Sequence, residues 1–462
     1  MGTAAANGSA ISTGSDAEPV LDPARLRRGF VLLAITSFAV TAGLNVFQAI
    51  QPNFFRDELG IGGALNGYWL AIREVPGFLL IFVAAVLLRL GIARAAAFSL
   101  VLMAVGFSAV ATSQSFGGLI VPTLIASVGY HSWLQLQDAL GLSLARPGEE
   151  GAVLGRFRAI GFAGTLVGLV GVLVTLLAVE WITGDLRANQ GPWLRGGWVA
   201  VGLCAVVGAV AIARFPVTEG SRALARAAPR VTFRREYRLY YWLTFVDGSR
   251  MQIYFAFAPF VLVEEFNVNA RALQVLLVTG ALLNWRTGAW IGRLVDRHGE
   301  RRMLTIGYCG HLAVFLGFAF AQNVWLLYLT YLGYTFLSLF SIGTTTYLRK
   351  ICRPQDLAPS LAMGISLAHL TAIVVPVVGA ALWERLGYQF PFLFGTVFIF
   401  ASLWLAQRID VERQRVADGP TWRGDDHDAE RSAETAAADA PLAPVDAGRL
   451  PSTEGVMAGR SD

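Results

Sequence analysis

Four sets of polar side chains sit at helical spacing inside otherwise apolar stretches. Thr41, Asn45 and Gln48 fall at i, i+4 and i+7, and His131, Gln135 and Asp138 repeat that spacing. Asp247, Arg250 and Tyr254 fall at i, i+3 and i+7, and Tyr334, Ser338, Ser341 and Thr345 run along a fourth stretch. Each set occupies one face of a helix. A polar side chain in lipid is costly, so such a face looks onto a water-filled cavity or a partner. Binding of a small solute is the chemistry these residue types offer. Arginine stays charged under ordinary conditions, and its planar fork matches the oxygens of a carboxylate or phosphate. Arg250 and Arg286 therefore point to an organic anion, with Asn45, Gln48, His131, Gln135, Tyr254 and Tyr334 as further binding groups. Glu74, Asp138 and Asp247 are carboxylates able to carry a coupling proton. The alternative is an apolar or cationic drug held by Trp69, Tyr254 and Tyr334, with both arginines locked in structural pairs.

Blander roles compete with these. Arg73 and Glu74 adjoin in sequence, so they should point in different directions and each should need its own partner. Asp247 and Arg250 lie one turn apart and could neutralise each other. His131 could relay protons or simply hydrogen-bond within a bundle. His311 and His369 stand alone on apolar stretches and read as packing residues.

The sequence contains no HExxH, no phosphate loop, no GxGxxG and no paired carboxylates heading a soluble domain. No enzyme activity and no cofactor are expected. Cys204, Cys309 and Cys352 are too few and too scattered for a disulfide framework or a metal site. The net charge of +5 reflects loop arginines rather than a nucleic-acid-binding surface.

The elements that must position these side chains follow from composition. Of 462 residues, 55% are hydrophobic, and the mean hydropathy is +0.54. Stretches of 20 or more nearly uncharged residues recur from Gly29 to Gln407, each long enough for a helix to cross a hydrocarbon core of about 30 Å. Lipid offers backbone groups no partner outside the helix itself. The expected fold class is an all-α integral membrane protein. Twelve helices are expected, at about 29–51, 65–89, 94–113, 117–144, 152–181, 195–215, 238–263, 271–295, 302–321, 324–349, 358–384 and 388–408.

Loop arginines alternate with these spans. Arg25, Arg27, Arg28, Arg89, Arg94, Arg146, Arg156 and the run from Arg214 to Arg238 fall on one side, with Arg349, Lys350, Arg353, Arg408 and Arg413. The other side receives scattered Arg56, Arg187, Arg195, Arg271 and Arg385, mostly beside acids. The positive-inside rule puts both termini in the cytoplasm. A multi-pass protein of the cell inner membrane is expected. The domains read as a disordered N-terminus at 1–28, a six-helix bundle at 29–215, a cytoplasmic linker at 216–237, a second bundle at 238–410 and a disordered tail at 411–462. At 1.5 Å per residue, Arg250, Arg286 and His131 fall near mid-membrane. Arg73 and Glu74 lie about a third of the way in from outside, and Asp138 lies nearer the cytoplasm.

The two bundles look like copies. Arg297-His298-Gly299 follows the eighth span as Arg89-Leu90-Gly91 follows the second, 208 positions earlier. Arg353-Pro354 follows the tenth as Arg146-Pro147 follows the fourth, 207 positions earlier. An even number of spans per copy makes the repeats parallel.

The segment GRLVDRHGERRM, residues 292–303, gathers six charges and a histidine between apolar runs. Its Gly292, Leu294, Asp296, Arg297, Gly299, Arg301 and Arg302 resemble the cytoplasmic loop signature of the major facilitator superfamily, at the place between the eighth and ninth spans where that family carries it. The resemblance covers about 29–410. It implies two six-helix bundles around a central cavity lined by helices one, four, seven and ten. It also implies secondary transport of a small solute by alternating access, with the lipid bilayer as its setting and a monomer as the expected unit. Gly299 would allow a turn with φ > 0, and Asp296 would form a latch with arginines or a helix N-terminus in one rocking state. Two departures stand out. The first-half copy, LLRLGIAR, lacks the aspartate and most arginines, and the fifth helix lacks the Gly-Pro pair of the antiporter signature. A non-transporting sensor is the rival from another class; it would normally carry a sizeable soluble output domain.

Overall fold

The computed structural model describes residues 23–79, 90–145, 150–216 and 233–415. Among these, twelve long helices carry the architecture. They are α1 (Pro23–Asn53), α2 (Gly63–Phe78), α3 (Ile92–Val110), α4 (Phe116–Leu142), α5 (Glu150–Thr183) and α6 (Gly191–Ile212) in the first half. In the second half they are α7 (Arg238–Phe260), α8 (Ala270–His298), α9 (Glu300–Phe320), α10 (Val324–Ile351), α11 (Pro354–Leu386) and α12 (Gln389–Ala406). A turn of 3-10 helix at Ser338–Ser341 interrupts α10. No strand occurs among the described residues.

Eight of the twelve are long and apolar enough to cross a membrane. The described part of α2 is short. The other three, α4, α7 and α8, carry His131 and Asp138, Asp247 and Arg250, and Arg271 and Arg286. Their polar load lowers their hydropathy and marks them as helices with something besides lipid to face.

The ends differ from expectation in places. α1 begins at Pro23, six residues early, so Pro23–Arg28 are helical. Val411–Gln414 forms a short helix, pinned where Tyr347 donates a 2.7 Å hydrogen bond to Gln414 Oε1. Tyr237 is buried and donates to Asp356 Oδ2 at 2.9 Å, so the end of the linker already packs on the second half. Arg89, Arg146 and Pro147, the rest of the linker, the N-terminal segment and most of the tail lie outside the described residues.

The repeat reaches to backbone detail. Pro52 and Pro259, each near the end of its helix, are 207 positions apart. Each lacks a donor and forces out the carbonyl one turn before. Each is followed by a π-helical turn, Phe54–Glu58 and Val261–Glu265. Each turn closes through matching bonds, Ile61 N to Phe55 O at 2.8 Å and Val268 N to Leu262 O at 2.9 Å. Gly60 and Asn267 then take φ of 63° and 52°. Gly91 and Gly299 take 82° and 77°, so the motif glycine keeps its turn in both halves although the first has lost most of its charge.

Small residues set the helix spacing. A Cβ on Gly168 or Gly164 would strike the Ala42 or Phe38 carbonyl, and one on Gly106 would strike the Ala126 backbone. α5 packs directly on α1, and α3 on α4. These close approaches supply the van der Waals contact that drives association where no hydrophobic effect operates between helices. Aromatic rings fill the first-half core between them, with Phe47, Phe107 and Phe54 around Trp198 at 5.3–6.0 Å between centroids of neighbouring pairs.

Candidate functional site: a cavity between the halves

A cavity of about 350 Å³ lies between the two halves. α1 and α2 give it Gln48, Gln51, Asn66, Trp69, Arg73 and Glu74; α4 gives Thr123, Ser127, Tyr130 and His131. The second half gives Met251, Gln252 and Phe255 from α7, Tyr331 from α10 and His369 from α11. α2 contributes more than the expected set of lining helices allowed.

The lining is held by local bonds. Trp69 Nε1 donates to Thr123 Oγ1 at 2.8 Å, fixing α2 to α4. Gln51 donates to Asn66 Oδ1 at 2.7 Å, and Asn66 Nδ2 donates across the halves to the Ala256 carbonyl at 2.6 Å. Arg73 lies over the Phe47 and Trp69 rings, 5.7 and 5.3 Å from their centroids, a placement that favours a cation on an aromatic face.

The charged centre of the cavity is Glu74, which is buried. Arg73 Nη2 and Nε donate to its Oε1 at 2.7 and 3.1 Å. The two neighbours therefore pair with each other, contrary to the expectation of separate partners: both long side chains curl into the same cavity. Glu74 Oε2 faces His131 Nε2 at 3.1 Å and His369 Nδ1 at 3.5 Å. The two histidine rings meet edge to face, 5.2 Å between centroids. His369 is thus no packing residue. It is the second half's contact to the first half's carboxylate.

Several candidates sit elsewhere. Asn45 donates to Thr41 O and Thr165 Oγ1 at 2.9 and 3.1 Å, tying α1 to α5. Gln135 and Asp138 are exposed and do not line the cavity. Asp247 is the hub of a second-half network. It accepts from Tyr308 OH at 2.9 Å, Thr344 at 3.3 Å, Ser402 at 3.4 Å and Arg250 at 3.3 Å. Arg250 is buried between the Tyr308 and Tyr334 rings, 5.7 and 5.9 Å from their centroids. Tyr254 stacks on Tyr334 at 3.4 Å and donates to the Tyr331 carbonyl. These groups bind α7, α9, α10 and α12 together, outside the cavity lining. His311 Nδ1 donates to Gly307 O, 2.7 Å away, and the ring meets Tyr334 edge-on, in keeping with packing. Arg286 is exposed, as are Leu282 and Trp290 one turn to either side. It lies on the outward face of α8, away from the cavity.

Cross-half contacts concentrate at the end of the bundle opposite the chain termini. Gly63 N donates to Glu264 Oε2 at 2.6 Å. Arg187 reaches Asn267 O at 3.1 Å, and Arg56 reaches Asn267 Oδ1 at 2.5 Å. Arg271 pairs with Glu180. Just below, α2 packs on α11 through glycine: a Cβ on Gly67 would lie 2.9 Å from both Pro376 O and Ala380 Cβ. At the terminal end, among the described residues, the contacts of the loop motif lie within the second half. Glu300, buried, pairs with Lys350 at 2.7 Å. Arg301 donates to Gln407 at 3.3 Å. Gly292, Asp296, Arg297 and Arg302 complete the loop, and Asp296 is exposed.

Two repeated six-helix halves enclose this polar cavity. Residues 240–444 match the family model described as Major Facilitator Superfamily. Among solved structures, the nucleoside transporter NupG superposes with a TM-score of 0.66 at 13% identity, over 82% of this chain and 99% of that one. A bacterial homolog to the human lysosomal transporter Spinster, inward-facing and occupied, gives 0.61 at 14% identity over 84% and 98%. The xylose transporter XylE from E. coli, partially occluded and inward-open, gives 0.61 at 13% identity over 83% and 99%. No curated protein matches the chain. The family model covers the second half of the chain, and the likeness to these structures is one of fold.

Proposed function

We propose that the protein carries a small polar organic solute across the cell membrane by alternating access, with the cavity as its binding site. The observation that carries this reading is the cavity's position. It lies between two repeated halves, and the contacts joining those halves gather beyond it at one end. Separating that end while drawing the terminal ends together would turn the cavity to the other face. The arginine-rich loops support placing the terminal end in the cytoplasm, so this arrangement is the inward-facing one.

The lining favours a solute with a planar or aromatic part and several hydrogen-bonding groups. Phe47, Trp69, Tyr130, Phe255 and Tyr331 supply ring faces, and Gln48, Gln51, Asn66 and Gln252 supply amides. A pocket of this kind fixes orientation with a few polar groups on an apolar wall. The organic-anion reading rested on Arg250 and Arg286, which lie outside the cavity. Arg73 lines it, but Glu74 already neutralises that charge. A net negative charge on the solute is therefore not required. The drug reading retains Trp69 alone of its three aromatic residues. A monomer is enough, since one chain encloses the whole cavity.

The test is ligand-dependent thermal stabilisation of purified protein against a panel of small metabolites and drugs, followed by flux of any hit into proteoliposomes. Binding to the native state raises apparent stability. The expected result is saturable flux of the hit, lost in Trp69→Ala and Gln48→Ala. A hit that is bound but never moved would favour a sensor. A hit converted to product without net movement would favour an enzyme.

A further inference from the structure

Glu74 Oε2 and His131 Nε2 approach to 3.1 Å, and the surrounding bonds decide what that contact is. His131 Nδ1 lies 3.0 Å from the Ser127 carbonyl and 3.1 Å from Ser127 Oγ. Ser127 Oγ spends its own hydrogen on the Arg73 carbonyl. Nδ1 therefore faces two acceptors and must carry a proton. In the neutral imidazole only one ring nitrogen is protonated, so Nε2 presents a lone pair to the oxygen of a carboxylate. Two lone pairs this close, in a buried place, need a cation between or beside them. His369 brings a third donor atom to the same oxygen at 3.5 Å, and all three donor atoms lie within 4.8 Å of one another.

We infer that Glu74, His131 and His369 form a binding site for a late first-row divalent metal ion, of which Zn²⁺ is the representative. Metal–nitrogen and metal–oxygen bonds of about 2.0–2.2 Å convert the two glutamate–histidine separations to angles of roughly 100° to 115° at an ion; the two histidine nitrogens, within 4.8 Å of each other, would sit about 3.4 Å apart on a tetrahedral ion. Two histidines and one glutamate are a donor set that leaves a fourth position open, and here that position faces the cavity. The outer contacts are those a metal site needs. The Nδ1–H of His131 on a backbone carbonyl fixes its tautomer and ring. Arg73 binds Glu74 through Oε1 alone, which leaves Oε2 for the ion. Glu74 and His131 belong to the first half and His369 to the second. A bound ion would tie α2 and α4 to α11 and hold the halves in the arrangement seen here. The guanidinium of Arg73 opposes a second positive charge, so it sets the affinity lower than the donor set alone would give.

The experiment is calorimetric titration of Zn²⁺ into chelator-treated purified protein, with melting temperature measured on the same samples. The parent should bind one ion at this site, and Zn²⁺ should raise its melting temperature. His369→Asn and Glu74→Gln should each weaken binding by at least about tenfold, the range seen when groups around a metal are lost. Arg73→Gln should tighten it, because a repelling charge has gone; a merely structural Arg73 would not do this. Should Glu74→Gln or Arg73→Gln melt before titration, His369→Asn decides alone, since His369 is partly exposed and on the cavity wall. Absence of binding by the folded parent, or equal affinity in parent and His369→Asn, overturns the proposal and leaves a protonated imidazolium as the cation. Because the readout is binding, its failure is independent of whether the cavity moves a solute.

Discussion

At the scale of single residues, intramembrane charge has two fates in this protein. Asp247 and Arg250 are consumed in packing. The carboxylate accepts four hydrogen bonds and the guanidinium lies between two tyrosine rings. Removing one member of a buried pair leaves the other uncompensated, at a cost of about 3–5 kcal/mol. Asp247→Ala should therefore lower the melting temperature and membrane yield sharply, while the surviving folded fraction binds solute with near-parental affinity. A stable variant that has lost transport would return Asp247 to the coupling machinery. Arg286→Gln should change solute affinity by less than about twofold, as expected for an exposed residue away from special features; a large loss would mean that Arg286 reaches the cavity after all. Which charges were structural was only half legible in the sequence. The i, i+3 spacing of Asp247 and Arg250 announced their pairing. The junction of Glu74, His131 and His369 could not be read, because its members are 57 and 238 positions apart and meet only when α11 packs against α2 and α4. Adjacency misled for Arg73 and Glu74: neighbours on a helix diverge at Cβ, but two long side chains can converge beyond it.

At the scale of elements, the account rests on the α2–α11 seam and on the charged loop after α8. The seam is closed by glycines. In Gly67→Ala the new methyl would meet the Pro376 carbonyl, which cannot turn aside as a side chain can. The expected outcome is a shift of population toward the state with the distal end apart. Faster labelling of a cysteine at Leu65, in a version lacking the three natural cysteines, would register it; unchanged labelling in a folded variant would show that the seam does not gate access. In the loop, Asp296 is exposed, as a latch would be when released. Asp296→Asn should leave insertion intact and further favour the inward-facing state. Identical distances between the halves in parent and variant would reduce the segment to a solvated turn. The positive φ expected at Gly299 is present, since a turn this tight between two helices leaves the sequence little choice. The π-turns were not foreseen, although Pro52 and Pro259 sit at matching positions. Proline signals a disturbed helix, but whether the chain breaks, kinks or widens depends on what packs around it.

At the scale of the whole molecule, the twelve helices and their halving were the most legible features. Lipid enforces long apolar helices, and the repeat offset of 207–208 positions survives in prolines, turns and backbone bonds. The cavity was less legible, because helical periodicity tells which residues share a face but not whether that face meets a neighbour or open space. Asn45 and Gln48 are on one face, yet Asn45 is spent on α5 and Gln48 looks into the cavity. Topology offers a direct check: cysteines at Asn189 and His298 should react with an impermeant reagent from opposite sides, and labelling of both from outside would refute the proposed orientation. The central claim is that the two halves rock about the cavity, and paired spin-label distances test it most directly. One pair would sit at Ala188 and Leu386 at the distal end, the other at Arg158 and His298 at the terminal end, with the natural cysteines replaced. The account predicts two populations, one with the distal pair short and the terminal pair long and one with both reversed, and Gly67→Ala enriches the second. A single unchanging distribution at both pairs, in parent and variant alike, would contradict alternating access.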